Sequence, residues 1–424
     1  MTFKVAIPPL KLFLWNNLIV FALLNSGGAL NYLFQIILGR TLSLDQYGTF
    51  NSLLSTSALI TTPITIVHLV FSRFIARLEN HSPQQIKTLL IISIKPLLVM
   101  ISSIIVIGIF AIPSFKNFLH IQTTLPIILM LFAACFSTLQ QVLAAVCEGM
   151  HRFFALGIIS GGVAFMRFIY GALFLVIFNW GIEGGLMAVT LAAITTIVFG
   201  IWELRDVLSS QAKDLPLGFF SEMIRYSIPS FLMITMVVVM CNLDIVLVRH
   251  YCSPDQAGYY ATAAILGRIA FFLPSPLLLV LFPSVAKAAA SEDKDEHYFW
   301  ISLGITTILA GSVFLVLFFA GEPIIQFVYG DQYYLAAHIL KIITAAMGLL
   351  ALSQVAFSYS LARSEFSFLW LLVGGTIIML SLVFFYHETA ETIAWILLLS
   401  IVIIFLGTIL NRVYLSFYKP VATS

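Results

Sequence analysis

The sequence predicts an all-α integral membrane protein with twelve transmembrane helices arranged as two six-helix bundles. Composition, the spacing of apolar runs and an internal repeat carry that expectation. Of 424 residues, 61% are hydrophobic and only 9% are charged, and the mean hydropathy is +1.05. Soluble domains carry about 25% charged residues, so a water-soluble globular fold is excluded. The 21 Lys and Arg nearly cancel the 19 Asp and Glu, which leaves no basic footprint for nucleic acid. Four cysteines, Cys135, Cys147, Cys241 and Cys252, lack the spacing of a zinc site or disulfide framework, and three fall in apolar segments where Cys acts as a small hydrophobe. No metal or cofactor is expected.

A bilayer core of about 30 Å requires about 20 apolar residues per helix. Runs of that kind, closed at charged or Gly/Pro-rich turns, lie at 13–38, 48–72, 88–112, 123–147, 154–178, 182–204, 226–249, 258–282, 298–320, 335–361, 366–386 and 391–412. The first is too long for the apolar part of a signal peptide and lacks a small-residue cleavage site, so it is expected to be retained. Cytoplasmic loops accumulate Lys and Arg. With the N-terminus inside, the inner segments hold fourteen basic residues, among them Lys4, Lys11, Arg73, Arg77, Lys87, Arg152, Arg205, Lys213, Arg363 and Arg412, against Arg40, Lys116 and Arg249 outside. Both termini are therefore expected on the cytoplasmic side. Trp15, Trp180, Trp202, Tyr251 and Trp300 near span ends form the expected aromatic belt.

The chain repeats itself. Gln35-Ile-Ile-Leu-Gly-Arg40 matches Asp244-Ile-Val-Leu-Val-Arg249 at an offset of 209, and Asp45-Gln46-x-Gly48 matches Asp255-Gln256-x-Gly258 at an offset of 210. Phe153 with Gly161-Gly162 matches Phe366 with Gly374-Gly375 at an offset of 213. These offsets bracket half the chain length, so residues 1–212 and 213–424 read as duplicated six-helix bundles. Six is even, so both halves enter the membrane in one direction and are expected to be related by an axis along its normal, with a substrate cleft between them. Pro63 and Pro274 correspond to within one residue under the repeat, and kinks are expected in the second and eighth spans, serving either packing or gating.

Four basic residues remain inside spans: Lys95, Arg167, Arg268 and Lys341. A charge at the bilayer centre costs at least about 2.5–3.5 kcal/mol, so such groups usually face a wet cavity or a partner. Among the carboxylates, Asp244 alone is read as lying clearly within a span, so the four cations are expected to lack internal partners. Arg167 and Arg268 fall near mid-span, too deep to snorkel; Lys95 and Lys341 lie about two turns from opposite faces and serve either as cavity residues or as interface anchors. All four are candidate substrate-binding residues, and the substrate is expected to be an anion. Asp244 is a candidate ion-coupling group or a structural partner of Arg249 or a helix end; Gln35 at the repeat-related position favours structure. His68 reads as a hydrogen-bonded packing residue.

The stretch Asn31-Tyr-Leu-Phe-Gln-Ile-Ile-Leu-Gly-Arg40 with Leu44-Asp-Gln-Tyr-Gly-Thr-Phe50, and its counterpart Leu243-Asp-Ile-Val-Leu-Val-Arg249 with Ser253-Pro-Asp-Gln-Ala-Gly-Tyr-Tyr260, resemble the polysaccharide (O-antigen) flippases. That family belongs to the multidrug/oligosaccharidyl-lipid/polysaccharide (MOP) exporter superfamily. The resemblance implies a MATE-like fold and transport of an undecaprenyl-diphosphate-linked oligosaccharide from the inner to the outer leaflet of the bacterial inner membrane. It also implies a polysaccharide polymerase and chain-length proteins as partners, and no catalysis. The cationic residues agree, since Arg offers a diphosphate bidentate hydrogen bonds and Lys a point charge. The alternatives are a multidrug antiporter of the same superfamily, which would bind organic cations through buried carboxylates, and a membrane-embedded glycosyltransferase or polymerase. The latter needs a sizeable outer loop, whereas the longest here is expected to be about fourteen residues, near Glu322 to Tyr334.

Overall fold

The computed structural model describes residues 27–76, 78, 83–213, 219–275, 296–363 and 365–418. Each of the twelve apolar runs coincides, wholly or in part, with helix. Following the described helix α1 over residues 27–41 come α2 (Leu44–Ala76), α3 (Pro83–Leu119), α4 (Leu125–Gly149), α5 (Phe153–Gly171), α6 (Gly181–Glu203) and the short α7 (Arg205–Ser209). A π-helical turn, Ala172–Ile177, extends α5. The second half contains α8 (Phe219–Tyr251), α9 (Pro254–Gly267), α10 (Ile269–Phe272), α11 (Glu296–Tyr329), α12 (Ala336–Ala362), α13 (Phe368–Phe385) and α14 (Ala390–Tyr418). Among the described residues, nine helices are long and apolar enough to cross a membrane. The start of the first run, the end of the eighth, and Lys4, Lys11, Trp15 and Arg77 lie outside the described residues.

The helices form for a local reason that the bilayer enforces: a backbone amide in hydrocarbon must be paired within its own segment. Hydroxyl side chains follow the same rule. Thr190, Thr344, Thr376 and Thr408 each donate to the carbonyl four residues earlier, at 2.9, 2.6, 2.8 and 2.7 Å.

The repeated Asp-Gln-x-Gly segment acquires a structural meaning. Ser43 and Gln46 form a reciprocal capping box at the start of α2, with Gln46 N donating to Ser43 Oγ (3.3 Å) and Ser43 N donating to Gln46 Oε1 (3.2 Å). At the matching place, Gln256 N donates to Ser253 Oγ (3.4 Å) and Pro254 occupies the first helical turn of α9. Two helix starts are thus set by side chains that satisfy orphan amide donors. Two glycines then allow those starts to touch. A Cβ on Gly258 would lie 2.4 Å from the Leu44 carbonyl oxygen, and one on Gly48 would lie 2.9 Å from the Gly258 nitrogen.

By internal contacts the chain forms two compact units. One comprises the described parts of Met1–Thr41, Ile60–Asn117 and Ile121–Ser227; the other comprises those of Leu42–Leu59, Phe118–His120 and Ile228–Ser424. In the first unit the segment around Ser209 to Lys213, where the repeat divides, is tied to the start of α3. Lys87 Nζ donates to the carbonyls of Leu208 (2.8 Å) and Ser210 (2.5 Å), and Thr88 Oγ1 donates to the Lys213 carbonyl (2.7 Å). Arg152 bonds Asp206 in α7. Burial opposes ionisation of that carboxyl, but the guanidinium prevails and holds it below the ordinary aspartate range.

In the second unit the eighth span is broken. Helix α9 ends at Gly267, the four-residue α10 follows Arg268, and the chain bends at Leu273 and Pro274. Helix α2, by contrast, carries Pro63 inside a continuous 33-residue helix. The repeat-related prolines therefore sit in different backbone settings. The expected long outer loop is also corrected: α11 runs through Glu322 and Pro323 to Tyr329, leaving a single 3₁₀ turn, Asp331–Tyr333, before α12.

Candidate functional site

The charged residues within spans fall into two chemically distinct groups. In the first unit Arg167 projects from α5 and donates from Nη1 to Asn31 Oδ1 on α1 at 3.1 Å. Small residues set this pairing. A Cβ on Gly27 would lie 3.2 Å from the Gly161 Cα, and one on Gly171 would lie 2.5 Å from the Phe34 ring. Asn31 is about one turn from Phe34, and Arg167 about one turn from Gly171, so the close approach of α1 and α5 delivers amide to guanidinium. Asn31 supplies no charge, and Arg167 Nε is buried with no partner among the described residues. Three residues further along α5, Tyr170 Oη is hydrogen-bonded to Thr195 Oγ1 at 3.0 Å. Arg167 is thus a cation held by a neutral amide and still able to donate.

Arg268 is different, and the expectation that it lacks an internal partner is corrected. Its Nη2 donates to Asp244 Oδ1 at 3.0 Å, and Tyr260 Oη donates to Asp244 Oδ2 at 3.1 Å. Asp244 is 1% exposed and Arg268 is also buried. The break after Gly267 places Arg268 at a capping position, from which its side chain reaches α8. The three groups form an electrically neutral set, although Arg268 Nε, like Arg167 Nε, is buried with no hydrogen-bond partner among the described residues; what separates the two arginines is the carboxylate beside Arg268. Asp244 does not pair with Arg249 as the sequence suggested. Arg249 is buried and bonds Asp45 at 2.5 Å, and its Nε donates to the Leu119 carbonyl at 2.9 Å.

The two lysines stand apart. Lys341 on α12 lies over the Phe318 ring with Nζ 4.9 Å from the centroid, a cation–π contact. Lys95 on α3 is exposed, with Ile91, Ile92, Ile94, Leu98 and Val99 exposed around it on the same helix. Neither lysine forms an ion pair with a described residue.

Sequence reasoning missed several participants. Tyr260 stands where the first repeat has Phe50, and that added hydroxyl was the available signal. Asn31 lay within the motif yet carried no charge to draw notice. Glu148 closes α4 just beyond the predicted span; its Oε2 lies 2.7 Å from His68 Nε2, while His68 Nδ1 faces the Gln141 carbonyl at 3.0 Å. His68 is therefore hydrogen-bonded on both ring nitrogens. Among the described residues no group of three or more His, Cys, Asp or Glu is placed to hold a metal ion.

Comparison with known proteins now bears on this geometry. Residues 14–289 match the family described as polysaccharide biosynthesis protein. The chain belongs to that family. No curated protein matches the sequence. Among solved structures, an inward-facing multidrug resistance MATE family transporter of the MOP superfamily superposes with a TM-score of 0.77 at 13% identity, covering 93% of this chain and 96% of that one. The lipid II flippase MurJ in an inward closed conformation gives 0.69 at 12% identity, over 94% and 87%. The MATE multidrug transporter DinF-BH gives 0.67 at 13% identity, covering 98% of each chain. At such identities the likeness establishes the fold alone: this polysaccharide biosynthesis family member is a multi-pass membrane protein with a MATE-like architecture.

Proposed function

We propose that the protein is a flippase that moves an undecaprenyl-diphosphate-linked oligosaccharide, such as an O-antigen repeat unit, from the cytoplasmic to the periplasmic leaflet by alternating access. Arg167 is the residue that meets the diphosphate. The carrying observation is that this guanidinium is fixed by a neutral amide, with one N–H left unpartnered, in a member of a polysaccharide biosynthesis family. An anion with several acceptor oxygens satisfies both the charge and the open donor. Lys341 and Lys95 are secondary contacts in this reading, and Arg268 acts through the shape of the eighth span.

The drug-antiporter alternative calls for a carboxylate ready to receive an organic cation. Asp244 is occupied by Arg268 and Tyr260, which weighs against that reading. Moving a negative charge outward across an inside-negative potential releases about 2.3 kcal/mol per charge per 100 mV, so the cargo's own charge provides a driving force with both termini cytoplasmic and no catalytic step.

In a strain dependent on this gene for surface polysaccharide, Arg167→Gln is expected to abolish surface polymer while membrane-inserted protein persists, with prenyl-linked oligosaccharide accumulating inside. Arg167→Lys retains the charge without the fork and should export partially. Undiminished export by Arg167→Gln would overturn the assignment.

A further inference from the structure

The bond between Arg167 and Asn31 has a feature that a packing contact does not require. A guanidinium only donates, so its partner must present an acceptor, and Asn31 Oδ1 does so at 3.1 Å. A carboxylate would accept the same hydrogen, in the same shape, and would also neutralise the cation. The chain uses that solution elsewhere, where Asp244 Oδ1 meets Arg268 Nη2 at 3.0 Å. At Arg167 it uses an amide instead, and the guanidinium forms no ion pair with a described residue. An uncompensated charge within a span is destabilising. Asn31 therefore forgoes stability that a carboxylate of like size would supply.

The internal repeat bears on this choice. Carrying Asn31 forward by 209, the offset that aligns residues 35–40 with 244–249, gives Met240. Carrying Arg167 forward by 213, the offset that aligns Gly161-Gly162 with Gly374-Gly375, gives Leu380. Both counterparts are apolar, and Met240 is buried. The second half thus builds its corresponding helices without either polar group. In the first half the approach of α1 to α5 is already set by Gly27 against Gly161 and by Gly171 against Phe34. Packing calls for neither the arginine nor its amide partner. What the amide provides is direction without discharge: it fixes one arm of the fork and leaves the positive charge and the unpartnered Nε hydrogen for an anion.

We propose that Asn31 is the specificity-determining residue of the anion site, a positioning residue whose neutrality keeps Arg167 cationic toward the diphosphate of the cargo. The inference rests on the flippase reading above, and its test keeps the two separable. Asn31→Asp exchanges the amide nitrogen for a charged oxygen at constant shape. Purified full-length wild type, Asn31→Asp, Asn31→Leu and Arg167→Gln would be melted in detergent and titrated with inorganic pyrophosphate, following thermal protection. The same variants would be scored for surface polysaccharide in the dependent strain. Asn31→Asp is expected to melt at or above the wild-type temperature and to lose surface polymer. Its pyrophosphate binding should be weaker by about tenfold or more, the loss of a charge-assisted hydrogen bond. Asn31→Leu removes the acceptor but leaves the cation, so its pyrophosphate affinity should lie between those of wild type and Asn31→Asp. A lower melting temperature in Asn31→Asp would show that the new carboxylate does not pair with Arg167, and would overturn the proposal. Equal loss of pyrophosphate binding in Asn31→Leu and Asn31→Asp would overturn it too. If Asn31→Asp binds pyrophosphate and exports as the wild type does while Arg167→Gln does neither, the proposal falls and the flippase reading stands. A wild type unprotected by pyrophosphate, or undiminished export by Arg167→Gln, would instead count against the flippase reading itself.

Discussion

At the scale of single residues, the informative contrast is between two arginines that look alike in sequence. Both stand near mid-span, and both were expected to lack a counter-ion. Arg268 is neutralised by a carboxylate 24 positions earlier in the chain, whereas Arg167 is steadied by an amide. Removing one member of a buried ion pair leaves an uncompensated charge and typically costs about 3–5 kcal/mol, while replacing both with apolar residues of similar size is often neutral. Arg268→Met is accordingly expected to lower thermal stability sharply, and the double change Asp244→Leu with Arg268→Met to recover most of it. Melting curves in detergent for the single and double variants check this; equal loss in both would show that the pair is not the unit of stability. The existence of these residues was legible in the sequence because charge is conspicuous in an apolar run. Their pairing was not, because it depends on a helix ending at Gly267, and no hydropathy pattern reports that break.

At the scale of elements, the apolar runs located the helices but not their ends. Helix α3 spans Pro83–Leu119 and α11 spans Glu296–Tyr329, each longer than its apolar run, because a helix continues past the bilayer until its terminal amides and carbonyls find other partners. Pro323 reads as a turn residue in isolation yet lies inside α11, a position that neighbouring helices and side chains make tolerable in a membrane protein. The repeated Ser-x-Asp-Gln-x-Gly segment was visible as similarity, whereas its meaning, two capped helix starts in glycine contact, needed coordinates. Ser253→Ala removes the cap of α9 and is expected to cost about 1 kcal/mol, read as a lower unfolding temperature, with Ser253→Asp restoring most of it. No change in Ser253→Ala would show that tertiary packing alone fixes that helix start.

At the scale of the whole molecule, the all-helical membrane class and the MATE-like fold were legible, since the bilayer imposes length and hydropathy on each span; nine helices long and apolar enough to cross a membrane are seen among the described residues, consistent with the twelve runs expected. The surroundings of the four basic residues within spans were only partly legible. Of four candidate cations, Arg268 is spoken for by Asp244, Lys341 rests on an aromatic ring, and Lys95 lies among exposed apolar side chains. The account therefore concentrates recognition of the diphosphate on Arg167. Its most direct test is leaflet crossing of a labelled undecaprenyl-diphosphate oligosaccharide in proteoliposomes under an imposed potential, compared between the wild type and Arg167→Gln. The account predicts crossing by the wild type that accelerates when the side of entry is made negative, and none above the protein-free rate for the variant. Crossing by Arg167→Gln at the wild-type rate would contradict it.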